Sequence, residues 1–226
     1  MKSSWDPIWE NIFSSRSWGR WPAEDVVRAT SIEFANRDKS KSRILEVGCG
    51  TGANLWFFAK EGYQTYGIDG SRTAIEKAEK AIKSEVSNWQ GELSVGDIGN
   101  LPFQDNFFDM VVDVEAIYAN SFESSVKIYR EIARVLKPGG KVYSRTFAAG
   151  TWGSSNDFKE GTMKEGPMAG MGYTRLTSYE EIPTLIGDSY QIESIDLITR
   201  SMNGDIKKRV VKEWLIKAAK RTDSIG

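Results

Sequence analysis

Three carboxylates and a run of glycines define the chemistry open to this chain. Glu46 leads into Gly48-Cys49-Gly50-Thr51-Gly52, Asp69-Gly70 stands 21 residues after Gly48, and Asp97-Ile98 follows. Glycines let a backbone turn sharply and come close to a ligand, and the amides that open the next helix then face a negative group. A carboxylate placed like Asp69 can accept hydrogen bonds from both hydroxyls of a ribose. Asp97 can take the exocyclic amine of an adenine while Ile98 packs on the ring. Each piece taken singly is also an ordinary turn or helix-cap residue. Their order at consecutive strand ends is what describes an adenosine-shaped site. Cys49 reads as a small residue that fits between glycines, not as a nucleophile. The glycines alone do not name the ligand, because Gly48-x-Gly50-x-x-Ala53 also meets the loose dinucleotide fingerprint.

The elements that must position these residues are legible in the hydrophobic pattern. Short apolar strands at 44–47, 64–68, 92–95, 108–114 and 141–147 alternate with helical stretches. Ser71 caps the helix after Asp69. The helix from 122 to about 136 is expected to stop at Lys137-Pro138-Gly139-Gly140. Such alternation implies right-handed βαβ crossovers, hence a Rossmann-like, doubly wound α/β sheet with helices on both faces. The end of the chain departs from it: Thr177-Ser178-Tyr179-Glu180 reads as a capping box opening a short helix. Segments 189–202 and 206–217 then flank Asn203-Gly204, a hairpin signal that makes the last strands antiparallel. Ligands of such sheets sit beyond the carboxyl ends of the strands, where all three acidic residues fall.

The chain is expected to form one domain over 1–226. Within it, 1–40 is an aromatic helical cap, 43–147 the nucleoside-binding core, 148–176 a lid or substrate loop, and 177–226 the last helix and hairpin. The cap holds four of the eight tryptophans, Trp5, Trp9, Trp18 and Trp21. Asp6-Pro7 starts its first helix, and a second begins at Pro22.

At these motifs the sequence resembles the class I S-adenosylmethionine-dependent methyltransferases. ILEVGCGTG (Ile44–Gly52) is similar to the family's first motif and YGIDGS (Tyr66–Ser71) to its ribose-binding acidic motif. VGDIGNLPFQDNFFDMVV (Val95–Val112) resembles the adenine loop, and IYREIARVLKPGGKV (Ile128–Val142) the segment before the fifth strand. The resemblance covers roughly Arg43 to Thr146 and implies a seven-stranded sheet whose terminal hairpin reverses the last strand. It implies S-adenosylmethionine as cofactor, S-adenosylhomocysteine as product, and no metal. Carried over position by position, Glu46 anchors the loop, while Gly48, Cys49, Gly50 and Gly52 pass the methionine portion. Asn54 helps bind its carboxylate, Asp69 with Gly70 takes the ribose, Asp97 and Ile98 take the adenine, and Val114 lies against the cofactor.

The acceptor side is less determined. After the fourth strand the chain reads Asp113-Val114-Glu115-Ala116-Ile117-Tyr118, which lacks the Asn/Asp-Pro-Pro-Tyr signature of amide and nucleobase N-methylation. Histidine is absent, so an imidazole base and a His-based triad are excluded. Glu115 and Tyr118 are the expected catalytic residues, with a second-shell carboxylate as the plainer reading of Glu115. Trp18 and Trp21 are expected to stack on a substrate ring or simply to bury indole surface. Arg145 is expected either to pair an anionic substrate or to be an exposed strand arginine. The expected reaction is methyl transfer to oxygen or nitrogen of a small molecule. A non-catalytic binding module and a nicotinamide-dependent oxidoreductase are the alternatives.

Composition narrows the partners. Thirty Lys+Arg against 31 Asp+Glu give a net charge of -1, which offers no electrostatic basis for nucleic-acid binding. A single cysteine excludes an internal disulfide and fits a reducing compartment. No apolar stretch approaches a membrane span, and Met1 to Pro7 holds no run of signal-peptide length. A cytoplasmic protein, monomeric or homodimeric, is the expectation.

Overall fold

The computed structural model describes residues 4–155, 157–201 and 209–222. Two helices lead in, α1 (Ile8–Ser15) and α2 (Glu24–Glu33). Then β1 (Arg43–Val47), α3 (Ala53–Lys60), β2 (Gln64–Asp69), α4 (Arg72–Glu85), β3 (Gln90–Val95) and β4 (Phe108–Val114) alternate. Next come α5 (Phe122–Val135), β5 (Leu136–Phe147), two short strands β6 (Glu160–Thr162) and β7 (Tyr173–Arg175), α6 (Ile182–Ile186), β8 (Tyr190–Ser201) and β9 (Val210–Lys220). Seven strands form one sheet in the order β3-β2-β1-β4-β5-β9-β8. The first five run parallel, and β9 lies antiparallel between β5 and β8. This is the Rossmann-like doubly wound sheet read from the sequence. The Asn203-Gly204 turn lies outside the described residues, but β8 and β9 pair from Tyr190↔Lys220 to Ser201↔Val210.

Helices cover both faces, because the central strands are buried on both and must be sealed from water. On one face α5 and α6 pack Ile128, Tyr129, Ile132, Leu185 and Ile186 against Leu45, Val47 and Val111. On the other, α2, α3 and α4 pack Val26, Leu55, Phe58, Ile75 and Ile82 against Ile44, Met110 and Val112. A third apolar cluster lies under the 148–176 segment: Tyr118, Phe147, Met163, Met168, Leu176 and Val211. No helix among the described residues is long and apolar enough to cross a membrane.

Three local expectations need correction. The strand expected from Lys141 begins at Leu136, directly where α5 ends. Leu136 pairs with Phe108 and Lys141 with Met110, so Lys137–Gly140 bulges out of register between them. A proline without an amide hydrogen is accommodated in that bulge. The capping bond falls one residue on, with Glu181 accepting the Ser178 amide at 2.8 Å, and α6 opens only at Ile182, four residues beyond the start that a Thr177 cap implies. The 148–176 segment, read as irregular, contains the β6–β7 pair, held in the register Glu160↔Arg175 to Thr162↔Tyr173. Three-residue strands lie below what a periodicity window resolves.

Candidate active site

The carboxyl ends of β1, β2 and β4 meet at one level, with Val47 paired to both Ile68 and Asp113. A cavity of about 780 Å³ opens there. Its floor is the glycine loop. Gly48 and Gly52 have φ of +65° and +79°, and a Cβ would stand 2.2 Å from that of Ala116 and 2.7 Å from that of Ala78. Only glycine permits both the left-handed backbone and the close approach. The Gly48 amide donates to the Ile68 carbonyl at 2.8 Å, and the Gly50 amide to Asp69 Oδ2 at 2.8 Å. The Ser71 amide donates to the other Asp69 oxygen at 2.8 Å, so two amides fix a carboxylate that lines the cavity. Burial raises Asp69, with both amides opposing it. Cys49 is buried, and burial pushes its thiol well above the ordinary range, so no thiolate is available there.

Glu46 sits beneath the loop. Its Oε1 accepts Asn54 Nδ2 at 2.6 Å, while Oε2 is buried without a partner. Burial, more than the neighbouring carboxylates, lifts it to about 8. Asn54 lines the cavity with its oxygen already engaged by the Ala23 amide at 2.9 Å. Its place is therefore to tie α2 to Glu46. Only its second amide hydrogen is left over for a ligand carboxylate.

The N-terminal segment covers the β2 and β3 ends. Ser4 donates its amide to Asp97 Oδ2 at 3.0 Å and its hydroxyl to Oδ1, and so stands between Asp97 and the cavity. Ile98 and Gly70 line the cavity directly, and the Trp5 indole lies against Gly70 so closely that a Cβ there would meet it at 2.3 Å. Glu10 of α1 accepts the Ser71 hydroxyl at 2.5 Å and the Thr73 hydroxyl, bonds that lower its carboxyl. Trp18 and Trp21 both line the cavity. Trp18 stands edge-on to Phe13 at 5.3 Å, and Trp21 edge-on to Trp56 at 5.6 Å.

Beyond β4 the wall turns apolar. Asp113 is fully buried and accepts the amides of Ala116 and Ile117 at 3.0 and 3.1 Å and the Ser144 hydroxyl at 2.5 Å. These bonds pull the chain into a tight 3-10 turn, and Glu115 is bent into the left-handed region at φ +55°. Strain of that kind in a non-glycine residue concentrates at functional sites. Val114, Glu115 and Tyr118 all line the cavity, opposite Met168, Met171 and Phe147. Tyr118 is buried edge-on to Phe147 at 4.9 Å, and burial drives its phenol far above the ordinary range. That disfavours the phenolate form a base would need.

Arg145 is neither exposed nor facing the cavity. Its guanidinium pairs with Asp25 at 3.1 Å, Glu115 at 3.3 Å and Glu213 at 2.6 Å, so its charge is spent inside the protein. Both readings made of it from sequence therefore give way to a buried ion cluster, which the β5–β9 register assembles. Glu213 and the cavity-lining residues Ser4, Trp5, Arg200 and Met171 escaped sequence reasoning. For Glu213 the one signal is a glutamate two residues from Val211 and Leu215, on the same face of the strand, in VVKEWLIKAA.

A doubly wound sheet, a glycine loop at its first strand end and a carboxylate at its second define a nucleoside-binding α/β protein. Residues 44–140 match a methyltransferase domain family, over the stretch that carries the resemblance to the S-adenosylmethionine-dependent enzymes. That match favours S-adenosylmethionine over a nicotinamide cofactor. Norajmaline N-methyltransferase of Rauvolfia serpentina is 31% identical over 123 residues, covering 52% of this chain and 41% of that protein. Sterol 24-C-methyltransferase of Schizosaccharomyces pombe is 34% identical over 134 residues, covering 58% and 33%. A methyltransferase structure from Methanosarcina mazei superposes with a TM-score of 0.69 at 22% identity, over 84% of this chain and 97% of that one. The chain spans less than half the length of the sequence relatives it matches. The family's donor, S-adenosylmethionine, fits the residues present. The unpartnered Glu46 oxygen suits the ammonium of its methionine part, the glycine cradle leaves no room for side chains, and Asp69 lines the same cavity.

Proposed function

We propose that this chain methylates an oxygen or nitrogen of a mainly apolar small molecule, with Glu115 receiving the acceptor's proton. The observation that carries the reading is the position of Glu115. It is a carboxyl on a left-handed turn at the end of β4, lining one cavity with the glycine loop and an aromatic and methionine wall. Bound S-adenosylmethionine supplies a sulfonium methyl whose carbon–sulfur bond breaks toward sulfur as the acceptor's lone pair bonds to carbon. Glu46 and Asp69 hold the donor ends, and Asp97, once Ser4 yields, the adenine amine. Met168, Met171 and Phe147 exclude water and orient the acceptor, so that positioning supplies most of the rate. The acceptor's O–H or N–H bond breaks as an O–H bond forms on Glu115. Segment 148–176 serves as the cover over the acceptor.

Incubation with S-adenosylmethionine and a panel of apolar amines and phenols, read by product mass, tests the reading. Methylated heteroatoms with wild type and at least a tenfold loss in Glu115→Gln are expected. Methylation at carbon alone would overturn it in favour of the chemistry named for the sterol relative. Donor binding without any product would favour a binding module.

A further inference from the structure

Five charged side chains from five elements form one cluster behind the acceptor wall: Asp25 (α2), Glu115 (after β4), Arg145 (β5), Arg200 (β8) and Glu213 (β9). Three carboxylates face two guanidiniums, so the fully ionised cluster carries one negative charge in excess. The cations are not shared evenly. Glu213, with no solvent exposure, takes Arg145 Nε at 2.7 Å and Nη2 at 2.6 Å on Oε1, and Arg200 Nη2 at 2.6 Å on Oε2. Asp25 takes Arg145 Nη1 at 3.1 Å and the Tyr143 hydroxyl at 2.8 Å. Glu115 is left with Arg145 Nε at 3.3 Å, a nitrogen whose hydrogen already goes to Glu213. The remaining titratable neighbours, Tyr118 on the following turn and Asp113 on β4, offer it no positive charge.

We propose that Glu213 is a positioning residue that acts through Glu115: by holding Arg145 to itself it leaves Glu115 as the member of the cluster that takes up a proton. The proposal rests on the reading of Glu115 as the acceptor's base. One proton brings the cluster to charge balance, which lowers the cost of holding Asp25, Arg145 and Glu213 largely out of water. In the ionised form, which prevails above the midpoint, Glu115 receives the acceptor's proton on an oxygen at the cavity wall, and the proton returns to solvent through the cavity after product leaves. Burial first, and then the hydrogen bond and charge of Glu213, lift Glu115 to about 8 against the pull of Arg145 and Arg200. Bonds from Glu115 and Arg145 hold Glu213 low despite its burial. The strand register makes this arrangement obligatory, since Arg145 sits opposite Leu215 and Phe147 opposite Glu213, on neighbouring positions of one sheet face.

The test needs no acceptor. Protein labelled with carbon-13 at glutamate carboxyls is titrated by NMR, the Glu115 signal being the one lost in Glu115→Gln. In wild type it should titrate near 8. In Glu213→Gln, Arg145 is freed to turn onto Glu115, and the midpoint should fall by at least about one pH unit. In Arg200→Gln, a change at a side chain 57% exposed, Glu213 is less compensated and the Glu115 midpoint should rise. Opposite displacements are what a merely structural Glu213 would not produce. An unmoved Glu115 midpoint in Glu213→Gln, or a lowered one in Arg200→Gln, overturns the proposal, and the second variant decides alone should the first not fold. Titrations as expected beside full methyl transfer by Glu115→Gln would instead refute the base reading and leave the proton arrangement standing.

Discussion

Replacing Glu46 by glutamine separates the cost of this carboxyl to the empty protein from its contribution to donor binding. Glu46 is 3% exposed, and burial lifts it from 4.5 to about 8. An acid whose folded value is raised holds its proton more tightly in the native than in the unfolded chain. Its stability contribution is therefore intact below pH 4.5 and is lost as pH rises through the window up to about 8. At about 1.4 kcal/mol per pH unit, the loss reaches about 3 kcal/mol at pH 7. Glutamine keeps the shape and the acceptor for Asn54 but carries no charge, so it removes this share of the slope and leaves those of Asp113 and Glu115. For a chain of this size 1 kcal/mol is worth about 2–4 °C, so Glu46→Gln should melt about 6–12 °C above wild type at pH 7 and level with it near pH 4. With S-adenosylhomocysteine the advantage should shrink or invert. A lost charge-assisted bond to the ammonium is worth about 1.5–3 kcal/mol, or roughly ten- to hundredfold in affinity. Thermal melts from pH 4 to 8 and calorimetric titration read both effects. Parallel melting curves for the two proteins across that range, or undiminished product binding by the variant, would refute the reasoning.

Gly48→Ala combines a left-handed residue, costing about 1–2 kcal/mol, with a Cβ 2.2 Å from Ala116, costing about 1–3 kcal/mol more. Its urea midpoint should drop accordingly, and an unchanged midpoint would mean the loop is not held as seen. Asp69→Asn keeps an acceptor for one of the two amides but loses the charge. Titration should show S-adenosylmethionine binding weakened by about tenfold or more, and wild-type affinity would exclude Asp69 from the ribose site. Ser4→Ala and Trp5→Ala loosen the segment that covers Asp97 and Gly70. Stopped-flow fluorescence should show S-adenosylhomocysteine entering and leaving several-fold faster, and unchanged rates would show that the segment does not gate the site.

What the sequence determined by itself is the donor half. Glu46, the glycines and Asp69 lie within 24 residues of one another, and each owes its role to local geometry: a strand end, a left-handed turn, a helix N-terminus. Local geometry is written in local sequence, so spacing alone was enough to place them and to give the sheet its alternating order. Tertiary contact decides both the cover over Asp97 and the surroundings of Glu115. Ser4 meets Asp97 across 93 positions, Asp25 meets Arg145 across 120, and Arg145 meets Glu213 across 68. The reading of Arg145 failed for that reason. Whether a strand arginine faces water, a ligand or a buried carboxylate depends on the register of the strand that pairs with it. That register is chosen by the packing of β9 between β5 and β8, an interaction no short window of sequence contains.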